Sequence, residues 1–296
     1  MTKLAVRLSA PVVVALLWLS PSPRGAEADR AQAADQQPLA LRVMTYNLRY
    51  ASDTPPNSWP ERRPLVKKTV LQAAPDVIGT QEGVYRQLQD LAADLSAYHW
   101  IGLGREGGSR GEFMAVFYRH ARFVPVAFDH FWLSDTPEVI GSVTWGHTVR
   151  RMLTWVRLRD KTTGRELLVW NTHLDHQVED ARRKGAALIR ERLARTDPGV
   201  PLVLTGDFNC PAAGCVAYET LTREAGLTDA WLLAERRENE GIDTFNGFKA
   251  PGKGGVRIDW ILLRGPAAVS RAATLTDSGG GRFPSDHFPV VADVRF

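Results

Sequence analysis

At 296 residues, 44% of them hydrophobic, the chain can bury a large core, which excludes wholesale disorder. Its formal net charge of +4 is too small to mark a nucleic-acid footprint by itself. Two cysteines are too few to build a zinc site of their own.

Residues 1–28 have the layout of a secretory signal: Lys3 and Arg7 stand near the start, APVVVALLWL is the apolar region, and Ala26, Glu27 and Ala28 form an A-x-A cleavage site. The apolar run is shorter than the roughly 18 residues of a membrane-spanning helix, and no later run reaches that length. The expectation is an exported chain, secreted or periplasmic, cleaved near Ala28. Removing Lys3, Arg7, Arg24 and Glu27 with this segment leaves 34 basic and 32 acidic residues, a net of +2. Residues 29–39, DRAQAADQQPL, read as a flexible leader, and 40–296, without repeats or a later linker, as one domain.

Short apolar runs bounded by Gly, Pro, Asp or Asn follow as strand candidates: LALRVMTY, DVIGTQ, YHWIGL, FMAVFYR, TWVRLRD, ELLVWNTHL, VPLVLTGD, RIDWILLR and PVVADVRF. Helical periodicity lies between some of them. One helix is expected over 59–74, opened by a capping box of Ser58 and Glu61, and others over YRQLQDLAADL and EDARRKGAALIRERL. Strands outnumber helices and several are adjacent in sequence, which favours paired sheets with helices packed outside over a regular βαβα winding.

Two glycine-rich stretches imitate nucleotide-binding loops. GLGREGG places Gly102, Gly104 and Gly107 in a GxGxxG pattern, but another strand candidate follows instead of the helix that would face a pyrophosphate, so a hairpin turn is expected. GFKAPGKGG has Gly254 where a P-loop needs Ser or Thr, carries Pro251 and precedes no helix pattern, so it reads as a surface loop.

The polar residues with chemical potential recur at the C-terminal ends of apolar strands. Asn47 ends RVMTYN, Glu82 ends DVIGTQE, His173 and Asp175 end LLVWNTHLD, and Asp207 and Asn209 end LVLTGDFN. An α/β fold collects a site from such ends. Taken singly, each has an ordinary role as turn former or cap. Together they supply carboxylates for an oxygen-preferring cation, amides for orientation and imidazoles for proton or phosphate contacts. Asp259 interrupts the apolar RIDWILL, where an acid is costly to bury without a partner, and SDHFPV sets Asp286 and His287 before the last strand.

In this order, MTYNLR, IGTQE, GEFMAVFYR, WNTHLD, LTGDFN, RIDWIL and SDHFPVV resemble the endonuclease/exonuclease/phosphatase (DNase I-like) superfamily over about 41–296. Within it the chain is similar to a bacterial secreted subgroup with NSWPERR and TFNGF stretches. The resemblance implies a four-layered α/β/β/α sandwich of two packed mixed sheets with outer helices. It also implies one or two Mg2+ or Mn2+ ions, with Glu82 as principal ligand and Asn47 and Asp286 near the metal. Asp207 would align or activate water, Asn209 would donate to phosphate, and His173 and His287 would contact it, His287 oriented by Asp259. Glu112 falls where some members pair an acid with the first histidine, and Arg151 resembles a phosphate-contacting arginine. Asp175 either supports this set or caps the turn before the helix at 179.

The expected activity is metal-dependent hydrolysis of a small or lipid-linked phosphate ester by a monomer. The loop 51–63, with Asp53, Asn57, Trp59, Arg62 and Arg63, suits a compact polar ligand. A nuclease is the alternative, for which Arg105, Arg110, Arg150 and Arg151 could form a basic stripe. A phosphate- or carbohydrate-binding module with a silent site is the non-enzymatic one. In an exported chain Cys210 and Cys215 are expected to close a short disulfide loop beside the site, with two buried thiols as the other option, and Phe208 is expected to face packing.

Overall fold

A computed structural model describes residues 38–277 and 280–296. The signal at 1–28 and most of the leader lie outside the described residues. Strand β1 (Ala40–Asn47), helix α1 (Trp59–Ala73), β2 (Val77–Gln81), β3 (Gly83–Val84), α2 (Tyr85–Asp94), β4 (Tyr98–Ile101), β5 (Glu112–Phe113) and β6 (Val116–Arg119) come first. β7 (Phe123–Trp132), β8 (Met152–Asp160), β9 (Glu166–His173), α3 (Glu179–Leu193) and β10 (Leu202–Asp207) follow. The chain then forms α4 (Val216–Glu219), β11 (Thr228–Asp229), α5 (Ala230–Leu233), β12 (Arg236–Glu238), β13 (Asp259–Arg264), β14 (Ala268–Thr274) and β15 (Val290–Arg295).

A seven-stranded sheet runs β12-β14-β15-β1-β2-β6-β4, a six-stranded sheet runs β11-β13-β10-β9-β8-β7, and β3 and β5 make a short ribbon. Both large sheets are mixed, and each has a parallel pair near its middle: β1 with β2, and β9 with β10. Alternation along the strands sends side chains to two faces. Val43, Val77, Val116, Val156, Leu158, Val169, Val203, Ile261 and Val294 fill the space between the sheets. Met44, Tyr46 and Ile78 face the other way, onto Val66 and Val70 of α1 and Leu88 and Leu91 of α2. Leu168, Trp170, Leu204 and Leu262 pack under Ala186 and Ile189 of α3. These three apolar layers make the expected α/β/β/α sandwich.

Glu61 accepts from the Ser58 backbone N–H (3.0 Å) and from its hydroxyl (2.9 Å), so the capping box opens α1. α2 and α3 also form where the periodicity places them. β7 and β14 carry no clear strand signal in the sequence. β7 is an edge strand whose ladder shifts between Pro125 and Ala127, and AVSRAAT of β14 is weak in β-branched and aromatic residues. Leu39, at the end of the expected leader, is fully buried and exchanges two 3.0 Å backbone hydrogen bonds with Phe296. Both nucleotide-loop imitations are loops, and neither opens a helix. Among the described residues no helix is long and apolar enough to cross a membrane.

Candidate active site

The strand register assembles the site. Asp207, the last residue of β10, stands directly beside His173 of β9 and Asp259 of β13, so the three side chains share the inner face of one sheet. Across the gap, Asn47 ends β1 beside Gln81, and Glu82 comes next. Asp286 and His287 arrive just before β15. Beneath this end, Gln81 Nε2 donates to Asn171 Oδ1 (2.7 Å) and Thr45 Oγ1 (3.2 Å), and Asn171 Nδ2 donates to the Thr80 carbonyl (2.8 Å). Gly79 lets the sheets approach here, since a Cβ would collide with Thr205 Oγ1 and Asn171 Oδ1.

Asn47 Nδ2 donates to Asp207 Oδ2 (2.9 Å) and Glu82 Oε1 (3.0 Å), tying the two sheets together. Asp207 Oδ2 also lies 3.4 Å from His173 Nε2 and 3.7 Å from His287 Nε2, while its Oδ1 accepts from the Asn209 N–H (3.0 Å). Asn209 Nδ2 meets His173 Nε2 at 2.9 Å and donates to the Leu174 carbonyl (3.0 Å). His287 Nδ1 meets Asp259 Oδ2 at 3.0 Å. Arg49, Glu82 and Asn209 have φ of 53°, 61° and 52°. Such left-handed backbone costs on the order of 1–3 kcal/mol outside glycine, and here it aims three residues at the pocket.

The two histidines differ in charge. Burial by itself would disfavour charge on His287, but Asp259 and Asp207 outweigh it and raise its pKa to about 10. Burial, reinforced by the positive charges of Arg151, His287 and Arg105, holds His173 well below the usual imidazole range. At neutral pH His287 is therefore an imidazolium and His173 a neutral ring. Burial pushes Asp207 upward and Asp259 adds to that push, while His287 opposes it. Asp286 is raised by burial too, with Glu82 a repelling neighbour and His287 and Arg49 opposing.

The donor set fits a divalent cation. Glu82, Asp207 and His173 each offer an atom within 4.8 Å of the others, and the Asn47 amide touches both acids. Two carboxylates beside the raised Asp286 form an oxygen-rich, mutually repelling group that a hard cation would relieve. Asp207, Asp259 and His287 also lie within 4.8 Å of one another, but there the imidazolium already serves as the cation and would repel a metal.

Arg151, 4% exposed, meets His176 Nδ1 at 2.9 Å and Asp175 Oδ2 at 3.4 Å. Asp175 Oδ1 accepts from the Gln177 and Val178 N–H groups at 2.9 and 2.7 Å, so it both fixes the turn before α3 and holds Arg151. Glu112 departs from the family-derived expectation. Its carboxylate takes a 2.6 Å bond from Arg105 Nη1, and His173 Nδ1 is buried without a hydrogen-bond partner.

Loop 51–63 also differs from its reading as ligand-facing. Arg62 is 1% exposed and donates to the carbonyls of Leu48, Pro284, Arg49, Tyr50 and Asn57, bracing the segments that carry Arg49 and Asp286. Trp59 is buried with its indole on Asp90, and Arg63 pairs with Asp90 and Asp94. Arg105, Arg49, Tyr50, His176 and Phe245 do line the pocket, of about 380 Å³, together with Glu82, Glu112, Arg151, His173, Asp207, Asn209, Asp286 and His287. His176, three residues beyond the His173 register position, had a signal only in its nearness to that strand end. Cys210 and Cys215 form a disulfide, and Phe208 stacks on Trp260 at 4.1 Å, away from the pocket.

The chain is similar to proteins of known structure. An endonuclease/exonuclease/phosphatase family protein of Bacteroides thetaiotaomicron shares 35% identity and a TM-score of 0.82, over 88% of this chain and 96% of that one. A mannosyl-6-phosphatase of Bacteroides thetaiotaomicron VPI-5482 shares 35% identity and a TM-score of 0.81, over 86% of this chain and 100% of that one. TDP2 of D. rerio, complexed with a single-strand DNA product, shares the fold alone at 16% identity and a TM-score of 0.65, over 86% and 98% of the chains. No curated protein matches the chain. The model of the endonuclease/exonuclease/phosphatase family matches residues 44–287, a span that holds all the residues bonded around Asp207. The chain belongs to that family, whose members hydrolyse phosphoester bonds, and it is a phosphoester hydrolase.

Proposed function

We propose that the protein is an exported, divalent-metal-dependent hydrolase of a small phosphate monoester of the sugar-phosphate kind. The observation that carries this reading is the compact pocket in which Arg49, Arg105 and Arg151 surround His173, Asp207 and His287. A small pocket that sets three arginines against an acidic metal side suits a compact dianion better than a polynucleotide track. The basic stripe a nuclease would use does not continue from it, because Arg150 turns to the Gly141 carbonyl and Arg110 to that of Glu106. The mannosyl-6-phosphatase relative supports the same substrate class. The signal pattern at 1–28 and the disulfide both suit an oxidising compartment outside the cytosol.

In this reading Glu82, with Asn47 and Asp286 beside it, would hold the ion. When bound, the ion supplies a Lewis-acid centre for the phosphate oxygens. Asp207, whose proton affinity burial raises, accepts the proton of the attacking water as its oxygen bonds to phosphorus and the in-line ester P–O bond breaks, the leaving oxygen taking a proton from solvent. Arg151 and His287 neutralise the charge that spreads over the phosphate oxygens in the transition state, and Asn209, with its amide hydrogens on His173 and the Leu174 carbonyl, fixes the His173 ring beside Asp207. Asp259 keeps His287 charged and oriented; Asp175 keeps Arg151 in place.

The test is a substrate panel on the purified mature protein with Mg2+ or Mn2+: mannose 6-phosphate, glucose 6-phosphate, sphingomyelin and single-stranded DNA. Sugar monoesters should release phosphate, and EDTA should abolish this. Turnover confined to DNA, with a steep salt dependence, would replace this reading with the nuclease. Binding without cleavage of any phosphoester would leave a silent module.

A further inference from the structure

The glycine-rich turn after β4 is a device for presenting one side chain. Gly104 N–H donates to the Gly108 carbonyl (2.9 Å), and a Cβ at Gly104 would collide with the Arg110 carbonyl. Arg105 follows, with its backbone fixed on both sides. Its N–H donates to the Glu112 carbonyl (2.9 Å), and its own carbonyl accepts from Trp132 Nε1 (2.7 Å). Trp132 is buried with Met114 and Met152, and Leu103 packs against them. The turn is also stitched to the metal side of the pocket. β3, which begins one residue after Glu82, pairs with β5, and Phe113 of β5 bridges Gly104.

This framework holds the Arg105 guanidinium half-buried in the pocket wall, near enough to His173 that its charge helps to keep that ring neutral. Among the described residues its side chain has one hydrogen-bond partner, Glu112, through Nη1. A guanidinium has five N–H donors, so its remaining donors are available to a ligand. Arg151 gives donors to Asp175 and His176, and Arg49 lies 3.8 Å from Glu82 and 3.6 Å from Asp286, on the metal side of the pocket.

We propose that Arg105 forms an anion subsite for the third terminal oxygen of a phosphate monoester, and thereby selects dianionic monoesters over diesters; this rests on the phosphoesterase reading above. A monoester near neutrality carries a charge of about −1.5 to −2 and three terminal oxygens. A diester carries one charge, two such oxygens and a second ester arm. His287, Arg151 and the ion would serve the oxygens common to both. At the third position a monoester gives Arg105 a charged acceptor, whereas a diester arm strips water from the guanidinium and offers nothing in return. Arg105 therefore favours one class and penalises the other.

The experiment compares Arg105→Gln and Arg105→Lys with wild type, metal-loaded, on 4-nitrophenyl phosphate and bis(4-nitrophenyl) phosphate, with inorganic phosphate as inhibitor. Arg105→Gln should lower kcat/KM for the monoester about 10- to 100-fold and raise the Ki of phosphate about tenfold or more, the range for loss of a charged hydrogen bond. The diester rate should hold or rise, and Arg105→Lys should recover part of the monoester rate. The two rates come from the same preparation, so their ratio is insensitive to any misfolded fraction. An unchanged ratio and an unchanged phosphate Ki would overturn the proposal, as would an equal fall on both substrates. A wild-type protein inert toward both esters would instead overturn the phosphoesterase reading, and this inference with it.

Discussion

The layer between the two sheets has two ends of opposite character. At one end Val43, Val169, Val203 and Ile261 join a wholly apolar contact. At the other, the same strands and the same faces present Asn47, His173, Asp207 and Asp259. Between them lies a short polar band of Thr45, Gln81, Asn171 and Thr205, hydrogen-bonded across the gap. The polar end stores cost: its acids are buried together, and Asp259 Oδ1 and His173 Nδ1 are buried without a partner. The apolar end offsets that cost. One alternating pattern therefore builds a stabilising half and a reactive half, and the change of composition along each strand sets the boundary.

The division can be broken from either side. Leu158→Ala, at a fully buried apolar position, should cost about 2–5 kcal/mol in urea unfolding and leave kcat/KM unchanged. A folded Leu158→Ala protein with impaired turnover would show that the halves are not separable. Gly79→Ala places a methyl between the sheets at the boundary, against Thr205 and Asn171. It should cost about 1–3 kcal/mol as an overpacked site and, unlike Leu158→Ala, should also lower kcat by shifting the sheets that carry Asn47 and Asp207. Full activity in that variant would mean that the polar band tolerates separation.

A smaller effect concerns the charge at the reactive end. His287 has a pKa of about 10 in the fold and about 6.5 in an unfolded chain. Its stabilisation of the metal-free protein is therefore complete below about pH 6.5 and is lost as pH rises through about 10. Asp259→Asn removes a main support of that shift, so its melting temperature should fall less steeply than wild type across this alkaline window. Parallel slopes would show that Asp259 does not hold the proton.

The reactive end was legible in the sequence because the chemistry needs polar residues where apolar strands stop. Asp207 after LVLTG, His173 after LLVWNT and Asp286-His287 before PVV have no packing reason for being polar. The fold followed from the same strands and from three periodic helices. Arg62 was misleading for a physical reason: a charged side chain in a polar loop reads as ligand-facing, and only its burial against five carbonyls shows that it braces the loop. Arg105 reads in the sequence only as part of a basic stripe, because it sits inside a turn whose glycines resemble a phosphate loop. Glu112 carried a family-derived partner, whereas the turn brings Arg105 to it first. The left-handed backbone at Glu82 and Asn209 had no signal, since neither is glycine.

The central claim is that Asp207, at the meeting of the two sheets, handles the proton of the attacking water. It is tested most directly by phosphate release from mannose 6-phosphate at saturating Mg2+ in wild type and Asp207→Ala. The account predicts a fall in kcat of about 10²- to 10⁴-fold with the fold retained. A folded Asp207→Ala protein turning over at the wild-type rate would contradict it.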